Sequence, residues 1–344
     1  GDDALEYRLN HSDATTLVID ESVTDILPKL DSITDNCPEL EHIIGVGENH
    51  GLDTDFDDLF SASPDRSLAD TTRDTPATIL YTSGTTGDPK GVLHTHDVWA
   101  GHAPGLYMWY NCDIDDSVFW TPAEWSWIGT MAGMVFPAMH YGRPIVGYPI
   151  GQFDPESAFS IMEEFGVTDA FLAPTALRMM QDVEEPSENY DLDLDTIASG
   201  GEVVTSDIHR WAESKLSGTT INEAYGRTEG TMLVCNSQAW FDTKPGSMGQ
   251  SVIGHKVAIV DSETGEEKSS GEVGEIAVKR DNDPALFEEY WQAPDKTADS
   301  RINGWDLTGD LAKQDEDGYF YYVSRKDDVI ITSGYRVGPS EVED

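Results

Sequence analysis

Short β-branched or apolar runs alternate with segments of helical length along the first 235 residues. Residues 16–19, 78–81 and 170–172 are examples of predicted strands, and residues 155–165 are a predicted helix. This alternation is typical of an α/β protein with mostly parallel sheets flanked by helices. From about residue 246 the pattern changes to strands and turns. We therefore predict an α/β core over residues 1–235 and a small β-rich subdomain over residues 236–323.

Acidic residues are spread through every segment of the chain. The 344 residues include 65 Asp and Glu against 21 Lys and Arg, which gives a formal net charge of −44 at pH 7. Nucleic acids and anionic membranes are bound by basic side chains, so this charge excludes both as partners. With 38% hydrophobic and 10% aromatic residues the chain can still fill a core. Since salt screens self-repulsion, we predict a halophilic, haloarchaeal source, with an ordinary acidic bacterial protein as the alternative.

Cysteine usage and the N-terminus indicate the compartment. Cys37, Cys112 and Cys235 show no pairing pattern, which indicates a reducing environment. The first residues lack the basic and apolar regions of a secretory signal, and no run of about 18 apolar residues occurs. We predict a cytoplasmic protein without membrane insertion and leave its oligomeric state open.

The strongest local signal is the stretch TILYTSGTTGDPKGV at residues 78–92. A predicted strand runs into a loop of small and hydroxylated residues, namely Thr82, Ser83, Gly84, Thr85, Thr86 and Gly87, and Lys90 follows. Glycines let backbone N–H groups converge on an anion, and the lysine adds a mobile positive charge. The loop predicts a polyphosphate site. It is not a Walker A loop, because Pro89 and Gly91 break the required spacing, and this disfavours a kinase.

Four further stretches place glycine turns beside charged or aromatic residues. They are SGGE at 199–202, NEAYGRTE at 222–229, WDLTGD at 305–310 and SRKDDVIITSGYR at 324–336. With the loop above, these five ordered motifs closely resemble those of the adenylate-forming superfamily of acyl-CoA synthetases, adenylation domains and luciferases. The resemblance covers residues 78–344, and the first 77 residues are compatible with it without a motif.

The resemblance implies a domain organisation. Residues 1–323 are expected to form the large N-terminal AMP-binding domain, incomplete at its start, and residues 324–328 to form a hinge around Asp327. Residues 329–344 would begin a C-terminal domain that is largely absent. That domain carries a further catalytic lysine in the family. A polypeptide ending at Asp344 is expected to adenylate weakly and to form thioesters poorly.

Three residues are predicted to act on the phosphates of ATP. Lys90 faces the β and γ phosphates, Thr228 can meet the α-phosphate, and the carboxylate of Glu229 is a hard oxygen ligand for Mg²⁺.

The resemblance assigns the other nucleotide contacts. Gly201 and Glu202 belong to the adenine-binding turn, and Tyr225 lies against adenine. Asp310 suits both ribose hydroxyls, and Arg325 reaches the ribose and phosphate. The same motifs add Glu223, Ala224, Gly226 and Arg227 to the nucleotide site, and place Ser333, Gly334 and Arg336 near CoA.

The implied function is that of an ATP- and Mg²⁺-dependent acyl-CoA ligase. A carboxylic acid attacks the α-phosphate, pyrophosphate leaves, and CoA then displaces AMP. The positions around SGYRVGPSEVE are especially like acetyl-CoA and medium-chain acyl-CoA synthetases. Two alternatives remain: an enzyme that passes its acyl-AMP to a carrier protein, and a fragment that binds nucleotide without catalysis.

The size of the acyl group is predicted from two positions. Acetate-specific relatives have a tryptophan where this chain has Gly226, and removing an indole opens space for several methylenes, each worth about 0.8 kcal/mol when buried. Trp125 matches an aromatic residue that lines the acyl pocket of medium-chain enzymes. We predict a medium-length or aromatic acid, and expect Gly226→Trp to shift the preference towards acetate or propionate.

Some positions depart from the family pattern. Arg227 replaces the commoner Gln or Met, Ser324 replaces a usual Gly, and TPAEW replaces the more frequent DxGW. These departures affect the prediction of fine specificity and leave the predicted class unchanged.

Overall fold

The computed structural model of the protein describes residues 2–82, 89–148, 151–244, 246–327, 330–332 and 335–337. Within these residues the predicted α/β class is confirmed, because helices flank a largely parallel sheet and a β-rich unit follows.

The N-terminal residues form a two-stranded parallel sheet with two helices. The elements are α1 (Asp2–His11), β1 (Thr16–Asp20), α2 (Leu30–Thr34) and β2 (His42–Val46). After β1, helical structure starts only at a short 3₁₀ helix, Leu27–Lys29, which is followed by α2. Pro28 accounts for the late start, since proline is tolerated in the first turn of a helix but not in its interior.

A hairpin carries the predicted phosphate loop. Strands β3 (Pro76–Thr82) and β4 (Lys90–Thr95) are antiparallel, with Thr82 opposite Lys90. We did not predict β4 from the sequence. The hairpin is joined to α1 by a hydrogen bond from the Tyr7 hydroxyl to the carbonyl oxygen of Pro89 (3.0 Å).

The central sheet has seven strands in the order β11-β10-β9-β8-β7-β5-β6. Strands β5 to β9 are parallel, and β10 and β11 are antiparallel to their neighbours. The elements are α3 (Val98–Trp109), β5 (Phe119–Trp120), α4 (Ile128–Thr130), α5 (Phe136–His140), β6 (Ile145–Val146), α6 (Pro155–Phe165), β7 (Asp169–Phe171), α7 (Pro174–Met180), α8 (Pro186–Asn189), β8 (Thr196–Gly200), α9 (Ser206–Lys215), β9 (Thr220–Arg227), β10 (Thr231–Cys235) and β11 (Gln250–Ser251). A π-helical turn, Met131–Val135, connects α4 and α5.

Helix α6 shows how local sequence sets the element bounds. The Asp154 carboxylate accepts a hydrogen bond from the backbone N–H of Ser157 (2.8 Å), and Pro155 occupies the first helical position. Gly166 ends the helix at a φ of 57°, which glycine adopts without steric cost.

The β-rich unit is antiparallel. It contains β12 (Val257–Val260), β13 (Gly274–Lys279), β15 (Arg301–Ile302), β16 (Trp305–Gln314) and β17 (Phe320–Arg325). Strand β11 still belongs to the central sheet, so the β-rich unit begins at β12, later than the predicted boundary at residue 235. Strand β14 (Glu289–Tyr290), which precedes helix α10 (Pro294–Asp299), leaves this unit and pairs with β4.

A shared apolar core joins the central sheet to the β-rich unit. Leu233 and Val234 of β10 pack with Ile276 of β13 and Phe320 of β17, all of them buried. The end of β9 thereby lies beside β16, with Arg227 hydrogen-bonded to Leu307 and Tyr225 to Asp310.

The last described residues follow β17. Lys326 and Asp327 are described, and β18 (Ile330–Thr332) pairs antiparallel with β19 (Tyr335–Val337). None of the helices in the described ranges has both the length and the apolar character needed to cross a bilayer.

Candidate active site

A cavity of about 950 Å³ lies where the ends of β8 and β9 meet β16 and β17. Ligands of α/β proteins commonly bind at the carboxyl ends of parallel strands, and β8 and β9 end here. One part of the lining is polar and charged, and another is aromatic and apolar. The predicted residues that line it are Thr82, Lys90, Gly201, Ala224, Tyr225, Gly226, Arg227, Thr228, Glu229, Asp310, Arg325 and Asp327.

Thr82 and Lys90 enter the cavity from the two strands of the β3–β4 hairpin. The Lys90 ammonium lies 5.0 Å from the centroid of the Tyr290 ring, within the range of a cation–π contact. Strand β14 brings Tyr290 here because it pairs with β4. The predicted loop residues Ser83, Gly84, Thr85, Thr86 and Gly87 lie outside the described residues.

Glu229 is a buried carboxylate with three donors around it. The Tyr290 hydroxyl donates to Oε1 (2.5 Å), Nη2 of Arg227 lies 2.6 Å from Oε1, and Nε of Arg227 donates to Oε2 (2.8 Å). Burial raises the pKa of Glu229, but the charge and hydrogen bonds of Arg227 outweigh burial, and the pKa falls to about 2. Glu229 is therefore ionised at every physiological pH.

Thr228 is held by its backbone. Nε2 of His94 donates to the Thr228 carbonyl oxygen (2.8 Å). Burial lowers the pKa of His94, so its ring is neutral at pH 7 and carries its proton on the nitrogen that faces the carbonyl.

Asp310 and Tyr225 meet across the cavity from different sheets. The Tyr225 hydroxyl donates to Oδ2 of Asp310 (2.7 Å), and Nε of Arg325 lies 3.3 Å from Oδ1. The backbone of β16 just before Asp310 is held by Glu275, whose Oε1 accepts a hydrogen bond from the backbone N–H of Gly309 (2.8 Å). A carboxylate that accepts only, beside a guanidinium, is suited to a pair of hydroxyls next to a phosphate.

Glu275 also reaches the predicted hinge. Its Oε2 lies 3.0 Å from Nζ of Lys326, the residue before Asp327. Sequence reasoning missed Glu275, because nothing in the local pattern of β13 distinguishes a buried acid from a solvated one.

The side chains of two predicted adenine-site residues, Glu202 and Glu223, do not line the cavity. Glu202 accepts hydrogen bonds from Arg178 (2.6 Å) and Thr175 and is exposed. Glu223 is only 8% exposed, and its Oε1 accepts a hydrogen bond from the backbone N–H of Val204 (3.3 Å). Burial raises the pKa of Glu223 to about 7. Neither side chain belongs to the cavity lining, whereas Gly201 and Ala224 do.

The apolar part of the cavity is lined by Trp109, Trp127, Phe171, Ala132 and Met232. Trp125, the predicted acyl-pocket residue, is 42% exposed and is not part of this lining. Trp127, two residues later, lines the cavity instead. The sequence could not separate them, since both belong to one irregular stretch whose orientation depends on the following helix.

Gly226 lines the cavity, but the space beside its Cα is already filled. A Cβ atom at this position would lie 1.7 Å from the carbonyl oxygen of Thr231. Thr231 itself has a φ of 50°, and the hairpin from β9 to β10 contains a register shift. The expectation that a tryptophan at 226 would simply fill an open pocket is therefore corrected, because the backbone of β10 blocks the side-chain direction.

The predicted CoA residues are only partly described. Arg336 lies in β19, opposite Ile331 of β18, and Ser333 and Gly334 lie outside the described residues.

The donor set can be compared with the needs of Mg²⁺. In the described ranges, no group of three or more His, Cys, Asp or Glu side chains could hold a metal ion. Mg²⁺ in nucleotide sites is commonly bound by one or two carboxylates together with substrate phosphates. The ionised Glu229 fits that requirement, although its oxygens already accept from Arg227 and Tyr290.

A family model matches most of this chain, and several curated proteins match nearly the whole of it. The family model for AMP-binding enzymes matches residues 1–291. A mitochondrial acyl-coenzyme A synthetase of Mus musculus is 34% identical, covering 98% of this chain and 58% of that protein. Acetyl-coenzyme A synthetase of Bacillus subtilis is also 34% identical, covering 99% of this chain and 59% of that protein. The chain thus spans about three fifths of these curated relatives.

Solved structures give the same result. ATP-bound MatB from Rhodopseudomonas palustris superposes with a TM-score of 0.85 at 28% identity, covering 100% of this chain and 65% of that one. The anthranilate CoA ligase AuaEII in complex with anthranoyl-AMP has a TM-score of 0.86 at 26% identity, covering 99% and 65% of the two chains. On the family match and on this fold, the chain belongs to the AMP-binding enzymes and has the α/β fold of the adenylate-forming group.

Proposed function

We propose that this chain is the nucleotide- and acyl-binding part of an AMP-forming acyl-CoA ligase. The reaction converts a carboxylic acid, ATP and CoA into acyl-CoA, AMP and pyrophosphate. The observation that supports it is one cavity in which Lys90, Glu229 and Asp310 share a polar region that adjoins an aromatic one. A nucleotide and an acyl group can therefore lie end to end.

In the first step, a carboxylate oxygen of the acid attacks the α-phosphorus of ATP, and the bond to the bridging oxygen of pyrophosphate breaks. Phosphoryl and adenylyl transfers need positioning and charge stabilisation more than protein nucleophiles. Lys90 would neutralise the departing phosphates, and Thr228 would hold the α-phosphate; both residues line the cavity. Mg²⁺ bound to Glu229 and to phosphate oxygens would supply further positive charge.

The nucleoside is held by the opposite side of the cavity. Asp310 would accept hydrogen bonds from the ribose hydroxyls, and Arg325 would contact the ribose and phosphate. Tyr225 would present its ring to adenine, since its hydroxyl is fixed to Asp310 at 2.7 Å.

In the second step, the thiolate sulfur of CoA attacks the acyl carbon and AMP leaves. We assign Asp327 to the hinge, and Ser333, Gly334 and Arg336 to the approach of CoA. The relatives are named acyl- and acetyl-coenzyme A synthetases, which supports CoA as the acceptor in this chain.

We propose a medium-length or aromatic acid as the acyl substrate. The support is the aromatic lining of Trp109, Trp127 and Phe171. A structural neighbour, the anthranilate CoA ligase AuaEII, is solved in complex with anthranoyl-AMP, which supports an aromatic acid as the substrate.

The experiment is a panel of carboxylic acids scored by pyrophosphate release from the complete gene product, with Lys90→Ala alongside. We expect acid-dependent release of pyrophosphate and AMP, lost in Lys90→Ala. Release of ADP instead of AMP, or full activity of the variant, contradicts the proposal. ATP–pyrophosphate exchange without CoA-dependent AMP release would instead indicate transfer to a carrier protein.

Ala132→Val tests the acyl assignment, because Ala132 lines the apolar region and is buried. The larger valine should exclude methylenes of the acyl chain from the pocket. For each methylene that is excluded, kcat/KM for long acids relative to acetate should fall about fourfold. An unchanged chain-length profile contradicts this placement of the acyl group.

We also propose a salt-rich, reducing cytoplasm as the setting. The net charge of −44 favours screening by salt, and Cys37, Cys112 and Cys235 are free thiols.

A further inference from the structure

Arg227 binds Glu229 through two of its three guanidinium nitrogens. Its Nη2 and Nε approach the two carboxylate oxygens at 2.6 and 2.8 Å, a fork-like pairing. Its third nitrogen, Nη1, donates to the carbonyl oxygen of Leu307 in β16 (2.8 Å). The guanidinium is thus fixed from two sides.

The pair is also well shielded from water. The side chains of Arg227 and Glu229 are 20% and 12% exposed. Burial opposes the charge of Arg227, yet the charge of Glu229 more than offsets this and raises the Arg227 pKa. A buried ion pair of this kind is held strongly, because removing either partner leaves an uncompensated charge.

A divalent cation at Glu229 needs the same oxygens. A carboxylate offers about four lone-pair sites, and Arg227 and Tyr290 already use three of them. A metal on the remaining site would face the guanidinium at close range, and two cations repel strongly where water is excluded.

We propose that Arg227 competes with the divalent cation for Glu229, so that this chain binds the metal of its metal–nucleotide complex weakly. The inference rests on the proposed function, because it assumes that nucleotide phosphates lie beside Glu229. An uncharged Gln or Met at position 227, the commoner residues in the resemblance described above, would leave the carboxylate to the metal.

The test measures metal binding without turnover. Mn²⁺ is titrated into protein saturated with α,β-methylene-ATP, which cannot be cleaved at the α-phosphate, and free Mn²⁺ is followed by electron paramagnetic resonance. Arg227→Gln is expected to bind Mn²⁺ roughly tenfold or more tightly than the parent. Arg73→Gln is the matched control, because it removes the same charge from an exposed pair with Asp97 and should leave the affinity unchanged.

The outcomes separate the two proposals. Equal Mn²⁺ affinity of Arg227→Gln and the parent, with the nucleotide bound to both, overturns the competition and leaves the proposed function intact. If the parent binds no α,β-methylene-ATP, either with metal or without it, both the competition and the proposed function are overturned.

A second measurement serves if Arg227→Gln does not fold. In the parent labelled with ¹⁵N-arginine, the buried Nε–H of Arg227 is assigned by its loss in Arg227→Lys. With the analogue bound, saturating Mg²⁺ should shift this resonance and speed its exchange with water. A resonance that stays unchanged as the metal binds overturns the proposal.

Discussion

The buried carboxyl group of Glu223 makes folding stability depend on pH. Glu223 is 8% exposed, and the hydrogen bond from the Val204 N–H is long at 3.3 Å. Burial raises its pKa from 4.5 to about 7. Between these values the folded chain keeps a proton that the unfolded chain has released, so stability falls as the pH rises through this window. Above about pH 7 the whole destabilising effect of the buried Glu223 carboxylate on the folded chain is present.

The magnitude follows from the two pKa values. One pKa unit corresponds to about 1.4 kcal/mol, so the full cost of ionising Glu223 is of order 3 kcal/mol. Glu223→Gln keeps the shape and an acceptor for the Val204 N–H but carries no charge. Relative to the parent, the variant should gain about 2.5 kcal/mol between about pH 5 and about pH 8.5, since part of the cost is already present at pH 5.

The assay is urea unfolding of both proteins at the two pH values in constant molar KCl, following the same transition. Asp169, whose pKa burial raises to about 6, titrates in both proteins, so its effect cancels in the difference. Glu164→Gln removes an exposed charge on α6 and should show no comparable gain. If the difference between Glu223→Gln and the parent is the same at both pH values, the reasoning is refuted.

Tyr290→Phe removes the hydroxyl that donates to Glu229, a hydrogen bond to a charged group worth about 1.5–3 kcal/mol, and should lower kcat for pyrophosphate release at least tenfold; an unchanged kcat contradicts the link. Asp310→Ala should weaken binding of α,β-methylene-ATP by roughly tenfold or more, measured by calorimetry, and equal affinity contradicts the ribose assignment. Gly226→Ala should lower the unfolding free energy by about 2 kcal/mol or more, because its Cβ meets the Thr231 carbonyl; a parent-like melting temperature shows that β10 can move. The urea midpoint should rise between about 0.1 and 2 M KCl, and a midpoint that does not rise argues against a halophilic source.

Local signals in the sequence were enough for some elements and not for others. The bounds of α6 can be predicted from local residues, because Asp154 and Pro155 mark its first turn and Gly166 marks its end. Strands β4 and β8 were missed. The former follows directly on a glycine-rich loop, and the latter is a short, fully buried segment, TIASG, without alternation. Pairing with distant strands, which local patterns do not encode, decides both.

The site shows the same division. Motif residues such as Lys90, Glu229 and Asp310 line one cavity although they are far apart in sequence. Tyr290 was missed, because its contact with Glu229 joins positions 61 residues apart and has no motif of its own. The orientation of a side chain, as between Trp125 and Trp127, also depends on packing that the sequence does not display.

The contacts between Tyr225 and Asp310 (2.7 Å) and between Arg227 and Leu307 (2.8 Å) cross from the central sheet to the β-rich unit. The side chains that we propose to bind the nucleotide are thus the same ones that connect the two structural units. A nucleotide whose ribose hydroxyls donate hydrogen bonds to Asp310 would replace the hydrogen bond from Tyr225, so the net stabilisation on binding is smaller than the number of ligand contacts suggests. We therefore expect bound nucleotide to raise the melting temperature only slightly. Its clearer effect should be a changed rate of amide hydrogen exchange where β9 faces β16.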